Sequence, residues 1–183
     1  PAMITDDLRR QAKVINFGIM YGMSPFSLSR ELGISQKMAK TYIDHYFKRY
    51  AGVKRFIEET IETARQTRQT STELGRIRLI PDINSNNANL RGFAERAAVN
   101  TKIQGTAADL IKLAMIRVDA AITQKKMRTR MLLSVHDEIV FETPPDELET
   151  IQQMGREIME TIWCFKVPLK VNVATGKDWA EAH

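Results

Sequence analysis

Met131-Leu132-Leu133-Ser134-Val135-His136-Asp137-Glu138-Ile139-Val140-Phe141-Glu142-Thr143 holds two short apolar runs, Met131 to Val135 and Glu138 to Thr143, with only His136-Asp137 between them. Runs this short, rich in branched residues and this closely spaced, predict two antiparallel strands joined by a tight turn. Upstream, Arg91 to Thr123 is Ala-rich and reads as one long helix with Gly105 as its weak point. Downstream, Pro144 and Pro145 open a helix over 146–163, and Val167, Leu169, Val171 and Val173 alternate with Lys170 and Asn172 as a half-buried strand. The N-terminal half is helical in period. One helix runs from Thr5 or Asp6 to Tyr21 and ends at Gly22; Ser24 to Leu32 is stopped by Gly33; Ser35 caps a longer helix that Gly52 bends or breaks before residues 53–69 continue it. Thr70 to Ile80 reads as short strands turning at Leu74-Gly75, and Asn84 to Asn89 as loop. The fold class is therefore α+β: mostly helical, with a small antiparallel sheet near the C-terminus.

Composition narrows the function classes. The 183 residues are 43% hydrophobic and 27% charged, as in globular proteins, which excludes disorder and collagen-like chains. A net charge of +5 makes a polyanion a plausible partner. The single Cys164 excludes an internal disulfide and a Cys-based zinc cluster, and points to a reducing compartment, the cytoplasm. No run approaches the roughly 18 apolar residues of a membrane span, so no membrane partner is expected. The chain begins at Pro1 without an initiator Met, and is expected to be a piece of a longer polypeptide.

Three groups of residues carry candidate chemistry. On the first helix, Leu8, Ala12, Ile15 and Ile19 share a stripe suited to burial, while Arg9, Lys13, Phe17 and Tyr21 follow one another at i, i+4 on the opposite side. That second row either receives a packed domain or grips phosphates with its two cations and offers flat apolar faces to a base or sugar. Arg96, Asn100 and Gln104 form another i, i+4, i+8 row, either a solvated face or a set of donors for the minor-groove acceptors present at every base pair. At the hairpin, His136 and Asp137 suit simple turn chemistry; adjacent Asp137 and Glu138 also suit presentation of Mg2+ to a phosphate. Such a site needs carboxylates from a second segment, and the rest of the chain offers no equally convincing one.

Taken in order, Arg9-Arg10-Gln11-Ala12-Lys13-Val14-Ile15-Asn16-Phe17-Gly18-Ile19-Met20-Tyr21-Gly22 resembles motif B of the family A DNA polymerases, the bacterial DNA polymerase I type, and Val135-His136-Asp137-Glu138 resembles their motif C. Between them Glu95-Arg96-Ala97-Ala98-Val99-Asn100 and Gln104-Gly105-Thr106-Ala107-Ala108-Asp109 match a third family segment, and Trp179 to His183 looks like the family's C-terminus. The resemblance implies a C-terminal fragment of a polymerase, with fingers over 1–90 and palm over 91–183, the palm holding the long helix, the hairpin, a helix and a final strand. It implies that Arg9, Lys13, Phe17 and Tyr21 bind the deoxynucleoside triphosphate, that Lys13, Asp137 and Glu138 are catalytic, and that Asp137 and Glu138 hold Mg2+. Arg96, Asn100, Gln104 and His136 would contact primer-template DNA. Two Mg2+ ions would serve the intact enzyme, the second main carboxylate lying in motif A upstream of Pro1. The partners implied are primer-template DNA, deoxynucleoside triphosphates and the remainder of the parent chain, at the bacterial nucleoid, and the fragment alone is expected to be inactive or nearly so. The sequence departs from the family at Ile77, where a polar residue is common, and at Lys102, where Pro is common. A competing reading takes Phe26 to Tyr42 as a helix-turn-helix, hence a sequence-specific DNA-binding module.

Overall fold

The computed structural model describes residues 4–182, so His183 lies outside the described residues. Thr5 opens helix α1 (Asp6–Met20) by accepting a hydrogen bond from the Leu8 N–H, and Asp6 and Asp7 place negative charge at its N-terminal end. The helix ends in a left-handed turn. Gly22 has φ 77°, its N–H reaches the Ile19 carbonyl and the Met23 N–H reaches the Gly18 carbonyl at 2.7 Å, a pair of bonds that needs a residue free to take positive φ. Ser24 caps α2 (Pro25–Leu32), Gly33 stops it at φ 67°, and Ser35 caps α3 (Gln36–Arg49). The break before α4 (Ala51–Thr67) falls at Tyr50, and Gly52 lies inside α4.

The expected buried stripe of α1 is buried only at one end. Ile19 is 3% exposed, but Leu8 is 53% exposed and Ala12 is exposed as well. The eight-residue α2 that packs on α1 is about 12 Å long against about 22 Å for α1. It covers the last turns and leaves the first.

After α4, strands β1 (Gln69–Ser71) and β2 (Ile77–Leu79) pair antiparallel, and a 3₁₀ turn at Pro81–Asn84 leads into α5 (Ala88–Asn100). Ala64, Ile80, Ile83, Ala94 and Ala98 form one core between these elements. The expected single helix over 91–123 is interrupted: a π-helical turn, Thr101–Gly105, separates α5 from α6 (Thr106–Gln124). Hydroxyls compete for the carbonyls just before the turn. Thr101 Oγ1 donates to the Ala97 carbonyl at 2.7 Å and Thr70 Oγ1 to that of Ala98, which allows the helical ladder to slip by one residue.

The chain divides into two compact units, Pro1–Ile103 and Gln104–His183. Helix α5 packs on α4 and the 3₁₀ turn and so belongs to the first unit. In the second unit β3 (Arg130–Val135) and β4 (Glu138–Glu142) form the expected hairpin, with Val135 opposite Glu138 and a bulge between Met131 and Leu133. Met131 and Phe141 pack on the core of Val118, Ile122, Ile151 and Met154, shared by α6 and α7 (Leu148–Glu160). The half-buried strand expected over 167–173 does not form: these residues join no ladder, and Val167 is 74% exposed. Alternation of apolar side chains fixes two faces but supplies no partner edge, and the Val171 N–H bonds instead to Glu160 Oε1. A last short helix α8 (Trp179–Ala182) follows.

Two local features hold the hairpin. At its base Glu147 accepts hydrogen bonds from the N–H groups of Arg128 and Thr129 and from Thr129 Oγ1 at 2.7 Å, while Arg128 also pairs with Asp146. These bonds, the Arg128 N–H first, lower the Glu147 pKa from 4.5 to about 2. At its tip the two-residue turn places His136 at φ 53°, a conformation that hairpin turns normally give to Gly, Asn or Asp.

A carboxylate whose folded pKa is depressed stabilises the fold above its unfolded pKa, and the contribution disappears as pH falls through the folded value. Between pH 5 and pH 2.5 thermal stability should therefore fall more steeply in the wild type than in Glu147→Gln; coincident slopes would refute the clamp. Relief of the left-handed conformation by His136→Gly should raise stability in urea unfolding by about 0.5–1 kcal/mol, the left-handed penalty less the extra unfolded freedom of Gly. His136→Ala, which keeps the penalty, should show no such gain.

Candidate functional site

The row on α1 opens into a cleft of about 690 Å³ lined by Lys13, Val14, Phe17, Gly18, Tyr21 and Gly22, by Ser24, Ser27 and Glu31 around α2, and by Arg96 of α5. All of these belong to the first unit. The rings of Phe17 and Tyr21 lie nearly parallel, 6.3 Å apart with 11° between their planes, and Phe17 is 58% exposed. An aromatic pair of this kind presents flat apolar surface at the wall of the cleft, with the Lys13 ammonium one turn away and Arg96 supplying five N–H donors. Chemically the cleft suits a ligand with both a planar ring and negative charge.

The structure brings Lys13, Phe17, Tyr21 and Arg96 together. Arg9 is exposed and outside the lining. Asn100 closes α5, and its Oδ1 is buried with no hydrogen-bond donor among the described residues. Gln104 is exposed, and the π-helical turn replaces the α register on which its i+8 spacing relied, so the α-helical stripe runs from Arg96 to Asn100 only. In the second unit His136 and Asp137 form the exposed tip of the hairpin, and Glu138 is the half-buried first residue of β4. Their two carboxyl groups are hard oxygen donors of the kind Mg2+ takes. No cluster of three or more His, Cys, Asp or Glu suited to a metal occurs among the described residues.

Sequence reasoning missed several lining residues. Ser24, Ser27 and Glu31 were read only as members of the short helix from Ser24 to Leu32. Gly18 and Gly22 carried the better signal: two glycines four apart at the end of a helix, beside aromatics, mark a close approach. Met23 fills the first, since a Cβ on Gly18 would lie 3.0 Å from its Sδ, and Arg96 fills the second.

Comparison with known proteins agrees with these features. A family model described as DNA polymerase family A matches residues 1–181. The chain is 49% identical over 179 residues to DNA polymerase I of Lactococcus lactis subsp. cremoris, and 46% identical over 179 residues to that of Bacillus subtilis. Each match covers 98% of this chain and 20% of the relative, so the chain spans about a fifth of the length of these proteins. Among solved structures it resembles the POL domain of Pol1 from M. smegmatis in complex with DNA primer-template and dNTP, with a TM-score of 0.95 and 43% identity over 98% of this chain and 32% of that one. No helix among the described residues is long and apolar enough to cross a membrane. The mostly helical α+β chain, with its cleft on α1 and its His-Asp-Glu hairpin, belongs to DNA polymerase family A.

Proposed function

We propose that the full-length protein carrying this chain is a template-directed DNA polymerase that joins deoxynucleotides to a primer 3′ end. The observation that supports this most directly is the convergence of Lys13, Phe17, Tyr21 and Arg96 on one cleft, in a chain whose structural relative was solved with DNA primer-template and dNTP. In the reaction the primer 3′ hydroxyl gives its proton to solvent water, its oxygen attacks the α-phosphorus, the bond from that phosphorus to the bridging oxygen breaks, and pyrophosphate leaves. Lys13, with Arg9 one turn before it, pairs with the triphosphate and stabilises the charge that grows on the leaving pyrophosphate. Phe17 and Tyr21 lie against the sugar and the nascent base pair. Arg96, Asn100 and Gln104 donate to minor-groove acceptors without reading sequence, and His136 touches the primer end.

Asp137 and Glu138 are the residues that would hold Mg2+, which takes one or two carboxylates together with phosphate oxygens. Bound there, the ion supplies Lewis acidity at the phosphate and a more acidic primer hydroxyl. A second ion needs a carboxylate from the remainder of the parent chain, so these 183 residues alone are expected to extend little or no primer. In this reading residues 1–90 act as fingers and 91–183 as part of the palm, and the protein works on DNA in the bacterial cytoplasm. Helices α2 and α3 follow each other across a short turn, but an operator-binding module leaves the α1 row and the hairpin carboxylates unexplained.

In Mg2+-dependent primer extension by the full-length protein, Lys13→Ala should lower kcat/KM for the nucleotide by roughly 10²–10³, the loss expected on removing one charge-stabilising donor. Asp137→Ala should lose more, with primer-template binding kept. Unaltered extension by Asp137→Ala would move the metal site elsewhere. A wild type that extends nothing yet separates one duplex sequence from random duplex by about 10³ or more would bring the helix-turn-helix reading forward.

A further inference from the structure

Arg96 lines the cleft, yet among the described residues no hydrogen bond or ion pair holds its guanidinium. What locates it is packing of its stem. A Cβ on Gly22 would lie 2.9 Å from Arg96 Cγ and 3.2 Å from Cδ, well inside the roughly 3.5–4.0 Å at which nonbonded carbons rest. The Arg96 stem therefore occupies the space a side chain at residue 22 would take. On its own helix, a Cβ on Gly92 would come 3.5 Å from an Arg96 terminal nitrogen, an ordinary contact. The two ends of the side chain thus pass two glycines, and only the Gly22 contact is too tight to admit another atom.

Gly22 is also the residue directly after Tyr21, and it is fixed by the left-handed turn that ends α1. Any displacement of the Tyr21 ring that moves the end of α1 carries the seat of the Arg96 stem with it. We propose that Gly22 is a positioning residue for nucleotide selection: its bare α-carbon seats the Arg96 stem, so the guanidinium follows the end of α1 and both respond to the shape of one base pair. This inference rests on the polymerase reading above. It adds that the stacking face and the donor are linked mechanically, and that the link is a missing side chain.

The test uses single-nucleotide incorporation by the full-length protein, with matched and mismatched nucleotides, and kcat and KM measured separately. Gly22→Ala should raise KM for the matched nucleotide and reduce discrimination against the mismatch by about tenfold, a coupling ordinary for residues in contact. Gly22→Asn, whose side chain tolerates positive φ, should lose discrimination equally, because the added Cβ and not the backbone angle is the cause; it also carries the test if Gly22→Ala does not fold. In an Arg96→Ala background, Gly22→Ala should cost no further discrimination while still lowering the melting temperature. Wild-type discrimination by both Gly22 variants, or effects of Gly22→Ala and Arg96→Ala that multiply, would show that Gly22 only caps α1, and the polymerase reading would stand. A wild type that incorporates no nucleotide would overturn both.

Discussion

The first unit depends on how α1 stops. Fifteen residues of helix end when Gly22 takes a positive φ and the N–H groups of Gly22 and Met23 fold back onto the carbonyls of Ile19 and Gly18. That reversal brings Met23 over Gly18 and starts α2 alongside the last turns of α1, so that Ile19 is buried while Lys13, Phe17 and Tyr21 open to the cleft. A side chain other than glycine at residue 22 meets two obstacles, the left-handed backbone and the Arg96 stem. The same residue thus ends a helix, turns the chain and admits a neighbour.

The second unit is organised from the base of its hairpin. Glu147 gathers two backbone N–H groups and the Thr129 hydroxyl at the point where β3 begins and α7 is about to start. Thr129 is 3% exposed, so these bonds are partly shielded from competing water. With the base tied, Met131 and Phe141 deliver the strands to the α6–α7 core, and the tip can hold His136 in a conformation it does not favour. Strain at the tip persists because the surrounding structure fixes it.

Much of this was legible in the sequence. Thr5 and Ser24 as helix starts, Ser35 as a cap, Gly22 and Gly33 as stops, and the Val135-to-Glu138 turn are local signals, and each sits where it was read. What escaped was set by distant partners. Leu8 and Ala12 had the right period for burial but lie beyond the reach of α2. The π-helical turn answers to Thr70, some thirty residues away, as much as to Thr101. Val167 to Val173 alternated like a strand and found a carboxylate where a ladder was expected. Of the candidate cleft, Lys13, Phe17 and Tyr21 shared one side of α1 by spacing alone, though Arg9 of the same row lies outside the lining, while the approach of Arg96 to Gly22 depends on how α5 packs and could not be read from either segment.

The bulge between Met131 and Leu133 breaks the alternation of β3 partway along its length. Below it, Met131 faces Phe141 and serves the core; above it, Ser134 and Val135 carry the turn. An uninterrupted strand would tie the facing of every residue at the tip to the facing of every residue at the base, because a shift of one position turns the whole set over. Here the two ends keep separate registers. The hairpin is open to evolution in two parts, since packing at the base can change without turning over the residues at the tip.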